Sequence, residues 1–230
     1  MSGHNAPVRL AATALAAFFL GALTASVSAV TPTAFHSSIR PLSADQRSLV
    51  ARRAWRPGCP VQRRDLRLLT LTHVGFDGRP HVGQLVVNRD VAKPLVIVFR
   101  QLYALRFPIR HMRLHDFYVG QAAYPKDLDI TASFECRQSV PSPCTGGTRS
   151  GHWSNHAYGH AIDLNPRENP YVGCGMTRDP NGRVYLDRSR LRKGMVTPEV
   201  VRAFASVGWG WGGSWSGSTK DYMHFSTNGH

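Results

Sequence analysis

Acidic side chains are scarce in this chain: 14 Asp and Glu stand against 28 Lys and Arg, a formal net charge of +14 over 230 residues. An imbalance of that size selects an anionic partner, either nucleic acid or an anionic cell envelope. Cysteine is limited to Cys59, Cys136, Cys144 and Cys174, and no CxxC pair occurs among them, which argues against a four-cysteine zinc site. Long hydrophobic runs are missing too. The most apolar stretch, AATALAAFFLGAL (11–23), is short for a membrane span. There is no internal repeat, and the length suits one domain with processed or flexible ends.

That short apolar run has another reading. It follows a segment whose only basic residue is Arg9 and precedes small residues, Val27-Ser28-Ala29, that fit a cleavage site after Ala29. This is the pattern of a secretory signal over 1–29, with an uncleaved anchor as its rival. No cysteine follows the run, so a lipoprotein is disfavoured. Export places the basic charge opposite wall polymers rather than nucleic acid, and no nucleic-acid-binding motif is recognisable. In an exported chain four cysteines predict two disulfides, and spacing does not choose among the three pairings.

Residues 30–54 are rich in Pro, Ser and Thr and read as a linker with a short helix near its end. The domain is expected over 55–230. Two apolar runs, 67–76 and 80–88, flank Asp77-Gly78 and predict a β-hairpin. Asn88 or Asp90 can cap a helix running to about Phe107, and alternation predicts a strand from Ile109 to Tyr118. Residues 119–152 read as long loops. HAIDLN (160–165) and the segment Tyr222 to Ser226 are expected strands, and Pro198 to Val207 an expected helix with Val200, Val201 and Phe204 inward. This order implies an α+β fold, a small antiparallel sheet with flanking helices.

The stretch SNHAYGHAIDLN (154–165) carries the chemistry. In strand geometry Asp163 shares a face with Ala161, while Ile162 and Leu164 fill the other face. In KDYMHFS, His224 shares a face with Tyr222, with Met223 and Phe225 behind. Two neighbouring strands can then present Asp163 and His224 to one metal ion, and His156 reaches in from the preceding loop. Three protein ligands with one open position are what hydrolytic zinc requires. Asp221 can serve as the base if it sits in the turn entering the last strand. A different pair, His156 and His160 at i, i+4 on a helix turn, is weakened by Gly159 and by the absence of the Glu that HExxH requires. The bland alternative makes the histidines loop residues and Asp163 a turn cap.

Ser154-x-His156-x-x-Gly159-x-Ala161-x-Asp163 resembles the SxHxxGxAxD signature of the zinc D-Ala-D-Ala carboxypeptidase and L-alanyl-D-glutamate endopeptidase family (VanY-type). Asp221-Tyr222-Met223-His224 resembles that family's second motif. The similarity runs from about Gly58 to Ser226 and includes GCPV (58–61), FRQLYALRFPI (99–109), SFECR (133–137) and NPYV (169–172), as in an exported bacterial subgroup. The resemblance implies a hedgehog/DD-peptidase-like fold with one Zn2+ per chain on its sheet, bound by His156, Asp163 and His224. It makes Asp221 the general base and then acid. Arg137 would hold a substrate carboxylate or the oxyanion, and Ser154 would touch substrate or orient its loop. Relatives carry cysteines matching Cys59 and Cys136, so the resemblance implies a Cys59–Cys136 disulfide, and Cys144–Cys174 is the pair that then remains. The chain departs from the pattern at Asn155, at His160 where Arg is expected, and in SVPSPC (139–144), which looks inserted. The expected protein is a secreted or envelope-associated monomeric metallopeptidase of peptidoglycan peptides that binds no nucleic acid. Its basic surface, with Arg52, Arg53, Arg56, Arg63, Arg64 and Arg67, would rest on anionic wall polymers. The rival is a noncatalytic wall-binding module that keeps the fold. Trp209, Trp211 and Trp215 in GWGWGGSW (208–215) are expected either to line a groove or to pack in the core.

Overall fold

The structure, a computed structural model, describes residues 34–118, 129–147 and 151–230, with Met1 and Gly3. The expected signal segment 1–29, the start of the expected linker, and residues 119–128 and 148–150 of the expected loops lie outside the described residues. Contacts divide the chain into Met1–Val30 and Thr31–His230, and every element below belongs to the second unit.

The hairpin forms as the sequence implies. Strands β2 (Leu66–Val74) and β3 (Pro80–Asn88) pair antiparallel, with Val74 opposite Pro80. In the turn Gly78 adopts φ 75°, and Asp77 Oδ1 accepts from the Arg79 amide at 3.0 Å. The strand reads as a nearly continuous apolar run because both of its faces are covered. Leu69, Leu71, Leu85 and Val87 pack with helix α2 (Ala92–Ala104), while Leu66, Leu68 and Val86 pack with Leu42, Val50, Leu114 and Phe134 on the other side. The α2 cap differs from expectation. Val91 occupies the cap with no side-chain bond, because Asn88 donates to the Tyr158 carbonyl and Asp90 meets His160 at 3.0 Å.

Residues 37–53, expected within a linker over 30–54, are instead part of the domain. Strand β1 (Ser37–Pro41) pairs with β2 at the sheet edge, and helix α1 (Ala44–Arg53) follows. Ser43 and Gln46 form a capping box there, and Leu42, Val50 and Ala54 are buried. The strand expected over Ile109 to Tyr118 is also replaced. Only isolated bridges form, Val74 to Pro108 and His111 to Ile130, before helix α3 (Leu114–Tyr118) begins. Met112 explains the break: its carbonyl accepts from Gln84 at 2.6 Å and its side chain lies where a Cβ on Gly83 would project, so the segment crosses β3 at a point.

The remaining strands form two further three-stranded sheets rather than one sheet with the hairpin. Helix α4 (Asn155–Tyr158) leads into β4 (Ala161–Asp163), which pairs with β9 (His224–Ser226), and β9 pairs with β7 (Gly210–Trp211). Strands β6 (Met176–Thr177), β5 (Tyr171–Gly173) and β8 (Lys220–Asp221) form the third sheet, antiparallel throughout. The architecture is α+β with small antiparallel sheets. Helix α5 (Pro198–Ala205) buries Val200 and Phe204 against Ile162, Leu164 and Phe225, with Val201 half-buried beside them. The Phe204 and Phe225 rings stack at 3.8 Å. Burying one such ring is worth about 1.5–3 kcal/mol. This seats the inner face of the β4–β9 pair in the core and leaves Asp163 and His224 on the outer face.

Two disulfides, Cys59–Cys136 and Cys144–Cys174, tie the extended segment 129–147 to its surroundings. Among the described residues no helix is long and apolar enough to cross a membrane.

Candidate metal centre and cleft

Asp163 and His224 are direct cross-strand partners in the β4–β9 register, so their side chains rise together from one face. His156 reaches them from α4. Ser154 caps that single turn, its Oγ accepting from the His156 amide at 3.3 Å. The turn ends at Gly159, whose φ of 70° and approach to the β3 backbone exclude a larger residue, since a Cβ would lie 2.7 Å from Asn88 N. Ser154 therefore orients the turn that carries His156.

Three ligand atoms converge. His156 Nε2 lies 3.1 Å from Asp163 Oδ1, His224 Nδ1 lies 3.2 Å from the same oxygen, and the two nitrogens are 3.3 Å apart. Tetrahedral zinc with bonds of about 2.0–2.1 Å spaces its ligands about 3.3 Å apart. The second nitrogen of each ring decides what the first presents. His156 Nδ1 faces the Ser133 carbonyl at 2.6 Å, and His224 Nε2 faces the His230 carbonyl at 3.1 Å. A carbonyl only accepts, so each of these nitrogens carries hydrogen, and in the neutral rings the opposed nitrogens turn lone pairs inward. In that form two lone pairs and a carboxylate oxygen face one another, an arrangement that a cation relieves; without an ion, a proton on an inner nitrogen relieves it through the ion pair with Asp163. The donor set fits zinc, and backbone carbonyls behind both imidazoles are the support such ligands use.

Without an ion, the Asp163 carboxylate is the charge that organises the centre. Burial alone would raise the Asp163 pKa, but His156 and then His224 hold it well below the usual carboxylate range. Burial opposes charge on His224, and the Asp163 carboxylate overrides it and raises the His224 pKa. Asp221 behaves oppositely. Burial first, and then the Asp163 charge, push it up to about 7 against the pull of His224 and Arg137. It sits at the end of β8, opposite Tyr171, outside β9 and separated from His224 by a bend. Gly212 lets the preceding turn pack onto it, since a Cβ there would meet the Asp221 carbonyl at 2.5 Å. Its Oδ1 is buried without a hydrogen-bond partner.

Arg137 lies beside this centre, one guanidinium nitrogen 3.9 Å from Asp163 Oδ2. Its Nε donates to Glu135 at 2.8 Å, which aims the other end of the guanidinium. Glu135 is a residue sequence reasoning passed over, although its signal was present: in an extended SFECR segment, positions 135 and 137 share a face. Cys136, between them, is fixed through its disulfide to Cys59. The second metal pair weighed from sequence does not form, because His160 turns away to Asp90.

Arg137, Ser154, His156, Asp163, Asp221 and His224 all line one cleft of about 1310 Å3. Trp215 lines it too, with Tyr171 edge-on at 6.5 Å. Trp209 is buried in the core, and Trp211 stacks on Phe225 and donates to the Tyr222 carbonyl at 2.9 Å. The three tryptophans thus divide between groove and core.

Residues 148–227 match a protein-family model described as D-alanyl-D-alanine carboxypeptidase. The match covers a minority of the chain, but that stretch carries Ser154, His156, Asp163, Asp221 and His224. It supports a peptidase of the kind that acts on D-Ala-D-Ala peptides of peptidoglycan. No curated protein and no solved structure matches the chain.

Proposed function

We propose that the chain is an exported, zinc-dependent peptidase of peptidoglycan stem peptides, an outlying member of the VanY-type family with a hedgehog/DD-peptidase-like fold. The observation that carries the reading is the convergence of two imidazole nitrogens and one carboxylate oxygen within 3.1–3.3 Å, beside a buried carboxylate oxygen that has no partner. A fold that needed Asp221 only for packing would pair its buried oxygen with a donor.

His156, Asp163 and His224 would hold the ion, one per chain. When bound, zinc supplies Lewis acidity that polarises a carbonyl and acidifies water. Asp221 then takes the proton from the attacking water on its unpartnered Oδ1 and returns it to the nitrogen of the leaving amine. Burial raises the proton affinity of Asp221, which suits a group that must both take and give a proton. Arg137, aimed by Glu135, binds a substrate carboxylate or the oxyanion through paired charged hydrogen bonds. Trp215, whose ring lies 6.1 Å from that of His224, covers the peptide beside the centre. The basic surface retains the monomeric enzyme on anionic wall polymers, and nucleic acid has no part in its function.

The test is mass spectrometry of a defined muropeptide panel incubated with residues 30–230, with zinc and with chelator. Loss of one terminal D-Ala, abolished by chelator, is the carboxypeptidase outcome. Internal cleavage after L-Ala makes the enzyme an endopeptidase of the same chemistry. No zinc-dependent product from any peptide would overturn the enzymatic reading in favour of a wall-binding module.

A further inference from the structure

Beyond β9 the chain folds back over His224. Gly229, at φ 77°, donates its amide to the Ser226 carbonyl at 3.2 Å and closes the turn. The His230 amide donates to Asn228 Oδ1 at 3.0 Å. The His230 carbonyl then collects three donors, two from β9 and one from α4: His224 Nε2 at 3.1 Å, Ser226 Oγ at 2.9 Å, and Asn155 Nδ2. Asn155 also donates to Asn228 Oδ1 at 2.7 Å, and Trp215 Nε1 donates to the Gly229 carbonyl. The Trp215 and His230 rings stack at 6.2 Å. The backbone of Gly210 completes the seat, where a Cβ would lie 2.6 Å from Gly229 Cα.

An exposed surface turn can leave its carbonyls to water at little cost, because a typical hydrogen bond nets only about 0.5–1.5 kcal/mol. Here one carbonyl is taken by three protein donors, and one of them is the imidazole at the candidate metal centre. The two histidines are therefore held differently. His156 is set by Ser133, a buried residue of the interior. His224 is set by a segment whose residues 227, 228 and 230 are exposed and line the cleft.

We propose that Thr227–His230 is a latch that positions His224: the His230 carbonyl fixes hydrogen on Nε2 and so delivers the Nδ1 lone pair to the metal. Asn155, Ser226 and Trp215 hold the latch shut. Asn155 thus acquires a role, although it sits where the family signature tolerates other residues. The inference rests on the metal reading above.

The experiment is zinc affinity, measured by competition with a chromophoric chelator, for the full chain, for a deletion of Gly229 and His230, and for His230→Ala. Loss of the support behind a metal-ligating histidine weakens binding about 10–100-fold, and the deletion is expected to fall in that range. His230→Ala keeps the backbone carbonyl and is expected to bind as the full chain does. The melting temperature of each protein in excess chelator reports folding independently of metal. Should the deletion unfold, Asn155→Ala takes its place, with weaker zinc binding again expected. Full-strength binding by the deletion, or by Asn155→Ala in that case, would overturn the latch and leave the metal site intact. So would a loss in His230→Ala equal to that of the deletion, which would assign the effect to the imidazole. No zinc binding by the full chain would overturn the metal reading and the latch with it.

Discussion

Replacing Asp221 by Asn should make the protein inactive and, without metal, more stable. The reasoning starts from the buried carboxyl, whose pKa is pushed from 3.8 up to about 7 by burial and then by Asp163. A group whose folded pKa is raised contributes stability that is fully present below the unfolded pKa and is lost as pH rises through the folded value. At pH 8 wild type carries the full penalty, about 4 kcal/mol for a shift of roughly three units. Asn cannot ionise and escapes it. Asn in turn leaves an amide atom where Oδ1 has no partner, a cost of about 1–3 kcal/mol. A net gain of about 1–3 kcal/mol at pH 8 remains, and near pH 4, where wild-type Asp221 is largely protonated, it should turn into a deficit of up to about 3 kcal/mol, the amide cost alone. Urea denaturation in excess chelator at pH 8 and pH 4 measures both limits; groups remote from Asp221 cancel between the two proteins, while His224 and Asp163, which feel its charge, add to the difference. The same variant with zinc restored should lose about 10²–10⁴-fold in kcat, the usual worth of a positioned general base. Retained activity would refute the assignment of the base. An Asp221→Asn variant less stable than wild type at pH 8 would refute the account of the strained carboxyl.

Glu135→Gln should raise KM roughly tenfold with a smaller change in kcat, since it loosens the aim of Arg137 at a cost of about 1.5 kcal/mol; an unchanged KM would remove Glu135 from the site. His73 is buried with Nδ1 unpartnered, and burial, helped by His81 and Arg113, pushes its pKa from 6.5 down to about 4. A lowered histidine contributes stability present above pH 6.5 and lost as pH falls toward 4, about 2 kcal/mol of it by pH 5. His73→Leu should flatten that acid limb by the same amount in denaturation curves at pH 7.5 and pH 5, and parallel curves would count against it.

Legibility followed the range over which each signal acts. The hairpin was readable because Asp77-Gly78 and the flanking apolar runs are local. Strand β1 was not, since its pairing with β2 runs through backbone groups and its side chains are mostly exposed, so its composition resembles a linker. The segment 109–118 alternates in hydropathy, yet its direction is decided by Met112 crossing β3, a contact no periodicity encodes. In the candidate centre, alternation within two short strands put Asp163 and His224 on matching faces, while their pairing opposite each other depended on a register that sequence does not print. The carbonyls of Ser133 and His230 behind the imidazoles were invisible, because every residue owns a carbonyl and only the fold chooses which one is used.

The direct pairing of Asp163 with His224 makes register a shared variable of core and chemistry. Sliding β9 by one residue would turn Phe225 outward and His224 into the packed interior, so an out-of-register strand loses its aromatic anchor and its metal donor in the same step. A divalent ion taken up here would therefore act as a proofreader of folding, rewarding the one alignment in which the hydrophobic and the ligating faces are both correct.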